Sequence, residues 1–335
     1  MGKYQESFIK YLKHSANERT TLADDLAEIL NVSKDSAYRR LRNETPLTID
    51  EAMIICDHFN IDLSAFFEMK YETIPFKFSK LYSGSKDMES YLKGISQMVE
   101  LGLSVNAEVI LAAEDIPVFH HFESPILAGF KIFYWQKAVL NDESLIGQKY
   151  HVRLVHPNLL ELANDIAKKY NQLHTVEIWT EDSVNSTLSQ VLYFAESGQF
   201  EDKEYALRVL NEVRKMVDGL LHKAERSSKT LDDNRNFTLF NSEVRIGNNS
   251  IYIESEKEQR VFISHNTFNS ISTDNRDFCK ETSLWLSNLM RKSTPINDVS
   301  EKHRYQFFRK IYRKLEETEE KILAAYQMNV NAFEN

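Results

Sequence analysis

The sequence predicts a mainly α protein with a smaller α/β part: an N-terminal domain of five short helices, followed by a large helical and α/β C-terminal region. Three observations carry this expectation. Apolar residues recur at helical spacing through the first 70 of the 335 positions. Three further stretches between 157 and 226 keep the same period. Short runs rich in β-branched and aromatic residues, at 107–113 and from 237 onward, read as strands.

The first helix is residues 4–14 (YQESFIKYLKH), amphipathic along its length. In the next stretch, TLADDLAEIL, Thr21 is placed to cap a second helix, with Asp24 three residues on. Leu22, Leu26, Ile29 and Leu30 form one apolar stripe on that helix. Asn31 falls where the helix must stop, and Asn tolerates the left-handed conformation better than any residue except Gly. Ser33 is a favourable N-cap for a third helix that turns Ala37 and Leu41 inward. At about 100° per residue, Arg39 points away from that inward face. Asp35, Ser36, Arg42 and Asn43 spread around Arg39, while Tyr38 and Arg40 lie on the flanks. Ala27 lets the second and third helices cross closely. Thr48 and Glu51 make a T-x-x-E capping box opening a fourth helix with Ala52, Ile55, Cys56 and Phe59 inward. Residues 61–67 (IDLSAFF) close the domain as a short fifth helix.

A helix with arginines outward and small residues inward suits the DNA major groove. Arg39, Arg42 and Asn43 are the expected base readers, with Ser36, Asp35 and Tyr38 nearby. Lys34, Arg40 and the Ser33 cap are the expected phosphate contacts. The whole stretch resembles the Cro and phage-repressor (XRE-like) type of helix-turn-helix domain, over residues 4–68 alone. NVSKDSAYRRLRN fits the turn and recognition helix, and LTIDEAMIICDHFNIDLSAFF fits the last two helices. Two departures are Asn31, where that family usually has Gly, and Ala37, smaller than the usual branched residue. The resemblance implies a transcriptional regulator that binds a double-stranded operator. An alternative is a signalling or toxin-neutralising protein that uses the same motif for protein contacts. A further one is an enzyme regulated through DNA, its active site within 106–265.

The totals narrow the field. A net charge of −9 argues against a generally basic nucleic-acid coat protein. Residues 1–70 carry 9 Lys and Arg against 12 Asp and Glu. Positive charge gathers between Ser33 and Asn43, where Lys34, Arg39, Arg40 and Arg42 outnumber Asp35. Non-specific binding should then be weak, and a homodimer on half-sites about one helical turn apart is expected. Two cysteines, Cys56 and Cys279, exclude a disulfide framework and a Cys-based zinc site. No stretch approaches the ~18 apolar residues of a membrane span, and the N-terminus lacks the apolar run of a signal peptide. A cytoplasmic protein without a membrane partner is expected. With only 9 glycines, neither a Rossmann turn nor a P-loop is present, and no cofactor is expected.

Residues 71–86, with Pro75, Gly84 and three serines, read as a linker. Residues 87–227 read as an effector or dimerisation region, sensing an unknown small molecule or protein. It would hold a helix at 86–103, a buried strand AEVILAA broken by Pro117, and an aromatic core segment at 126–140. Helices at 157–172, 183–197 and 202–226 follow. The last carries Ala206, Val209, Val213, Met216 and Leu220 at heptad-like spacing. Two heptads are fewer than a coiled coil wants, which favours a helix packed in its own domain over a dimer seam. After a polar loop at 227–236, residues 228–335 read as a meander of FTLF, SIYIES and RVFISH, with GNN at 247–249 as a hairpin turn. Helices at 276–292 and 300–326 end the chain. The layout is faintly similar to the regulatory domains of other bacterial repressors, including degenerate phospholipase-D-like ones, without the H-x-K-x-x-x-x-D signature of active members.

Candidate chemistry beyond the third helix is thin. His120, His121 and Glu123 are the densest potential metal ligands. Adjacent histidines in an extended segment point to opposite sides, so a hydrogen-bonded or surface pair is favoured over a metal site. Glu114 and Asp115 follow a strand, where α/β folds often place functional carboxylates but where ordinary loop residues also sit. Ser264-His265 lacks a G-x-S-x-G elbow. No catalytic constellation emerges, and no enzyme activity is expected. Lys302, Arg304, Arg309, Lys310, Arg313 and Lys314 lie among aromatics and can grip a nucleic-acid backbone. The EETEE at 316–320 repels phosphate, which favours a solvated amphipathic helix.

Overall fold

In the computed structural model, which describes residues 3–15, 22–59, 61, 74–80, 85–232, 235–256 and 258–333, the chain divides into two units, Met1–Pro75 and Phe76–Asn335. It is mostly helical, with one mixed eight-stranded sheet.

Four helices are described in the first unit: α1 (Lys3–Ser15), α2 (Leu22–Ile29), α3 (Lys34–Leu41) and α4 (Ile49–Phe59). Helices this short are marginal alone; shared burial of Phe8, Leu12, Leu26, Ala37, Ile55 and Cys56 holds them together. Their ends follow the expected chemistry. Asn31 takes φ 50°. The Val32 N–H donates to the Ala27 carbonyl at 3.0 Å and the Asn31 N–H to that of Glu28 at 3.1 Å, the two bonds of a Schellman stop. Ser33 caps α3 by accepting from the Ser36 N–H at 3.3 Å. The capping box forms in both directions: the Glu51 N–H donates to Thr48 Oγ1 at 3.1 Å, and the Thr48 N–H to Glu51 Oε2 at 3.0 Å. The Gln5 amide clamps the α3–α4 loop, donating to the Thr45 carbonyl at 2.7 Å and accepting from the Leu47 N–H at 2.9 Å. The Thr21 cap, and all of the expected fifth helix except buried Ile61, lie outside the described residues.

The second unit holds β1 (Lys77–Phe78), α5 (Ser85–Ser104), β2 (Glu108–Ala113), α6 (Val118–His121) and α7 (Pro125–Tyr134). There follow α8 (Pro157–Tyr170), β3 (His174–Trp179), α9 (Asn185–Glu196), α10 (Lys203–Arg226) and β4 (Phe237–Asn241). After these come β5 (Ser250–Glu254), β6 (Gln259–His265), β7 (Asn269–Thr273), α11 (Arg276–Arg291), β8 (Thr294–Pro295) and α12 (Glu301–Phe333). The sheet order is β1-β7-β6-β5-β2-β3-β4-β8. β2, β3 and β4 run parallel, and the remaining pairings are antiparallel. From one face, Val109, Leu111 and Ala113 join the large core with α5 to α10 and α12. From the other, Ile110 and Ala112 meet Cys279, Leu286 and Leu289 of α11. β2 is thus buried on both sides, which is why it reads as a continuous apolar run.

Three expectations are corrected. The linker at 71–86 contains β1, whose Lys77 and Phe78 pair with Ser272 and Ile271 of β7; residues 71–73 and 81–84 lie outside the described ones. The boundary at 227/228 cuts a continuous sheet, since Glu177 of β3 pairs with Leu239 of β4. The meander is not one either. SIYIES and RVFISH pair antiparallel as β5 and β6, but β4 lies beside β3 and β5 beside β2, so two strands separate β4 from β5 and the GNN segment between them is no hairpin turn. The heptad-like stripe of α10 is buried in the unit's own core.

β3 went unread in the sequence because a carboxylate interrupts HTVEIW. Glu177 is fully buried. His120 Nε2 sits 3.0 and 3.1 Å from its two oxygens. The Tyr170 hydroxyl donates at 2.6 Å and the Trp179 Nε1–H at 2.9 Å. Burial alone would raise this carboxyl, but the His120 charge and the bonds from His120 and Tyr170 hold it below the ordinary carboxylate value. Removing one partner of a buried charge pair costs roughly 3–5 kcal/mol. We expect Glu177→Ala to lose that much stability in urea denaturation. Because the native value is depressed, the stabilisation is complete above the unfolded value of about 4.3 and fades as pH falls through the native one. The stability gap between wild type and Glu177→Gln should accordingly shrink below about pH 4; a gap unchanged between pH 7 and 3 would contradict this account.

Candidate nucleic-acid interface

α3 presents five exposed side chains: Lys34, Asp35, Tyr38, Arg39 and Arg42. They follow from the position of Ala37, fully buried at the contact with the other helices, which turns the opposite side of α3 to solvent. Arg39 Nε lies 3.1 Å from Asp35 Oδ2, one turn back, with its side chain 60% exposed. Lys34 Nζ lies 2.8 Å from Asp24 Oδ1, also at the surface. Exposed pairs of this kind are screened by water and contribute little, so an incoming anion displaces either carboxylate at little cost. The Arg42 guanidinium stands 5.9 Å from the Tyr38 ring centroid, a contact that sets its direction along the helix.

Two of the expected contact residues do something else. Arg40 is turned inward, its side chain only 13% exposed. Its Nε donates to Glu51 Oε2 at 3.2 Å and its Nη2 to Oε1 at 2.6 Å. Nη1 donates to the carbonyl and hydroxyl of Ser36, both at 3.2 Å. The fork that was to hold phosphate instead braces α3 against α4, and its hydrogen bonds hold the Glu51 carboxyl below its usual value against the effect of burial. Ser36 is correspondingly half-buried and engaged by this bridge. The flank on which the helical wheel puts Arg40 is the one α4 covers, which α3 alone does not reveal.

Asn43 is the second correction. It adopts φ 61° and ends α3 by the same device as Asn31. Its N–H donates to the Arg40 carbonyl at 3.0 Å, and the Glu44 N–H to that of Arg39 at 2.8 Å. Its Oδ1 is buried without a hydrogen-bond partner and is not presented to a base edge. The likeness of LNVS and RNET around the two asparagines was the available signal.

The histidine and Glu123 candidates are engaged within the chain, while Asp115 and Ser264 border a cavity beyond the end of β2. His120 faces Glu177, and His121 Nε2 lies 2.9 Å from Thr187 Oγ1, both rings buried. Glu123 pairs with Lys223. Among the described residues, no group of three or more His, Cys, Asp or Glu is placed to hold a metal ion, and no helix is long and apolar enough to cross a membrane. Burial and neighbouring Asp115 raise the Glu114 carboxyl. The exposed His265 ring packs edge-on against Phe78 at 5.4 Å. In α12 four of the six cations singled out meet the chain's own carboxylates: Lys310 with Glu181 and Lys314 with Asp182 at 2.5 Å, Arg313 with Glu317 at 3.2 Å, and Arg304 with Glu225 at 3.9 Å. Phe307, Phe308, Ile311 and Leu315 are buried on the other side of that helix.

No family model, no curated protein and no solved structure matches the chain.

The two arginines at either end of this account separate experimentally. Arg40→Ala strands the half-buried Glu51, and we expect a loss of about 1–3 kcal/mol, read as faster hydrogen exchange of the α3 and α4 amides. Arg42→Ala should leave that exchange unchanged within about 0.5 kcal/mol.

Proposed function

We propose that this chain is a sequence-specific DNA-binding transcriptional regulator in which α2, the turn at Asn31 and α3 act as a repressor-type helix-turn-helix. One observation carries the reading. In a unit whose totals are acidic, Lys34, Arg39 and Arg42 stand exposed on one short helix that is capped at both ends and closed behind by Ala37. Arg39 and Arg42 are three residues apart, hence neighbours on the helix surface. Each can fork onto guanine O6 and N7, worth roughly 1–3 kcal/mol of discrimination. Lys34 and the α3 N-terminus are suited to a phosphate oxygen. A single helix of this length reaches few bases, so the operator is read by a homodimer on paired half-sites. The second unit is then the effector-sensing or assembly part, and the protein works in the cytoplasm.

A second reading has its own observation. Ile49 and Met53, one turn apart on α4, are 81% and 43% exposed, an apolar surface of the kind that protein contacts use. That favours a signalling or toxin-neutralising module whose first unit binds protein. Salt separates the two readings, because phosphate neutralisation makes DNA affinity fall steeply with salt.

The test starts from genomic fragments selected by the purified chain. On the selected site, Arg39→Ala and Arg42→Ala should each weaken binding about ten-fold or more while leaving random DNA almost unaffected. Lys34→Ala should weaken all sequences alike and lower the salt slope by about one. Equal binding by all three variants and the parent would refute the assignment, as would the recovery of no enriched fragment.

A further inference from the structure

A cavity of about 160 Å³ lies at the carboxyl end of β2. β2 runs parallel to β3 on one side and antiparallel to β5 on the other. Strand direction therefore changes beside β2, and the cavity lies beyond its carboxyl end, the end of the strands at which open α/β sheets bind ligands. The larger part of the wall is apolar, with Ile95 and Met98 from α5, Phe119, Ile251, Phe262, and Trp135 just past α7, and the rest is polar, including Gln190, Asn249, Ser264 and Asn269. Trp135 is held by stacking on Phe268, with ring centroids 4.9 Å apart. The Tyr91 hydroxyl donates to the Phe268 carbonyl at 2.6 Å. α7 continues into a π-helical turn at Trp135–Val139, an irregularity that occurs often at functional sites.

One cation lines this cavity. Lys131 of α7 is 5% exposed. Its Nζ donates to Thr187 Oγ1 at 2.9 Å and to Gln190 Oε1 at 2.8 Å, both neutral acceptors, which leaves one of its three donors. Among the described residues no carboxylate comes within ion-pair reach of it; Asp115, also in the lining, acts on it only from a distance. Of the other buried cations, Lys223 has Glu123 and Arg304 has Glu225; Lys229 also donates only to neutral oxygens, the Leu173 carbonyl and Thr175 Oγ1, but it feels the Glu177 charge and does not line this cavity. Burial pushes the Lys131 ammonium down to about 8, so it still carries its charge at neutral pH. Neighbouring His121 is pushed well below its ordinary value by burial and by Lys131 and adds no second charge. A buried cation with neutral partners is costly for folding, and an apolar side chain would fill its place better. An anion entering the cavity offsets that cost.

We infer that this cavity binds a small carboxylic acid with a single-ring or short branched apolar body, its carboxylate meeting Lys131 and its body meeting Ile95, Met98, Trp135 and Phe262. Size sets the body, because a cavity of about 150 Å³ holds one benzene ring. Charge sets the head, because Lys131 lacks only a negative partner. That the acid is the effector of a regulator rests on the DNA-binding reading above; that it binds does not.

The measurement uses the full-length chain without DNA, so that its failure is distinct from a failure of DNA binding. Titration calorimetry is run with benzoate, phenylacetate and isovalerate, and with neutral benzamide as the charge control. At least one acid should bind, and benzamide should bind at least ten-fold more weakly than benzoate. Lys131→Met should abolish the preference for benzoate over benzamide, and Ile95→Phe, which fills the cavity, should weaken every acid at least ten-fold. The inference is overturned by no binding of any of the three acids at 10-fold excess over millimolar protein (on the order of 10 mM ligand, two decades above a typical metabolite affinity). It is equally overturned by benzoate and benzamide binding alike, or by an Ile95→Phe variant that binds as the parent does. The last two readouts stand even if Lys131→Met does not fold.

Discussion

The bridge between Arg40 and Glu51 decides what the rest of the first unit has to offer. α3 and α4 are too short to hold their relative position by helix propensity, and Ala37 contributes little area at their contact. A two-pronged guanidinium–carboxylate contact, with Glu51 also accepting from the Thr48 N–H, fixes distance and angle together. One residue thereby serves as capping-box acid for α4 and as counter-ion for α3. The consequence is selective: of the four cations along α3 and its C-cap, one becomes framework and three face water, Lys34 and Arg39 beside exposed carboxylates and Arg42 beside the Tyr38 ring.

Local chemistry was legible in the sequence to a large extent. Helix starts at Ser33 and Thr48 and the stop at Asn31 depend on side chains reaching backbone within three residues, and such signals survive in a one-dimensional string. The chain has few glycines and uses asparagine at left-handed helix ends instead, at Asn31, Asn43 and Asn106. Knowing that habit, the role of Asn43 was readable too. What was not readable is non-local. Arg40 and Glu51 lie eleven positions apart on different helices, and nothing in either helix names the other. β3 hid because its central Glu177 breaks the apolar pattern, and that carboxylate is tolerable only once His120, Tyr170 and Trp179 converge on it. The order of strands, with β4 and β5 on opposite sides of the β2–β3 pair, is set by two helical crossovers and by a non-helical connection from β4 to β5, whose lengths do not say where a strand will dock.

Glu177 and Lys131 show the same physics with opposite outcomes. Both are charges almost removed from water. Around Glu177 the fold brings three nitrogen or hydroxyl groups, from His120, Tyr170 and Trp179, so both carboxylate oxygens are engaged within the chain. Around Lys131 it supplies two neutral oxygens and stops. The difference is not one of space, because Lys131 borders a cavity and Glu177 is packed by rings. Lys229, the other buried ammonium held by two neutral oxygens, does not line this cavity and has Glu177 as a nearby opposite charge. Leaving Lys131 short of an anion beside an empty volume of ring size makes the missing group a matter of composition: it must come from outside the chain, it must be negative, and it must be small.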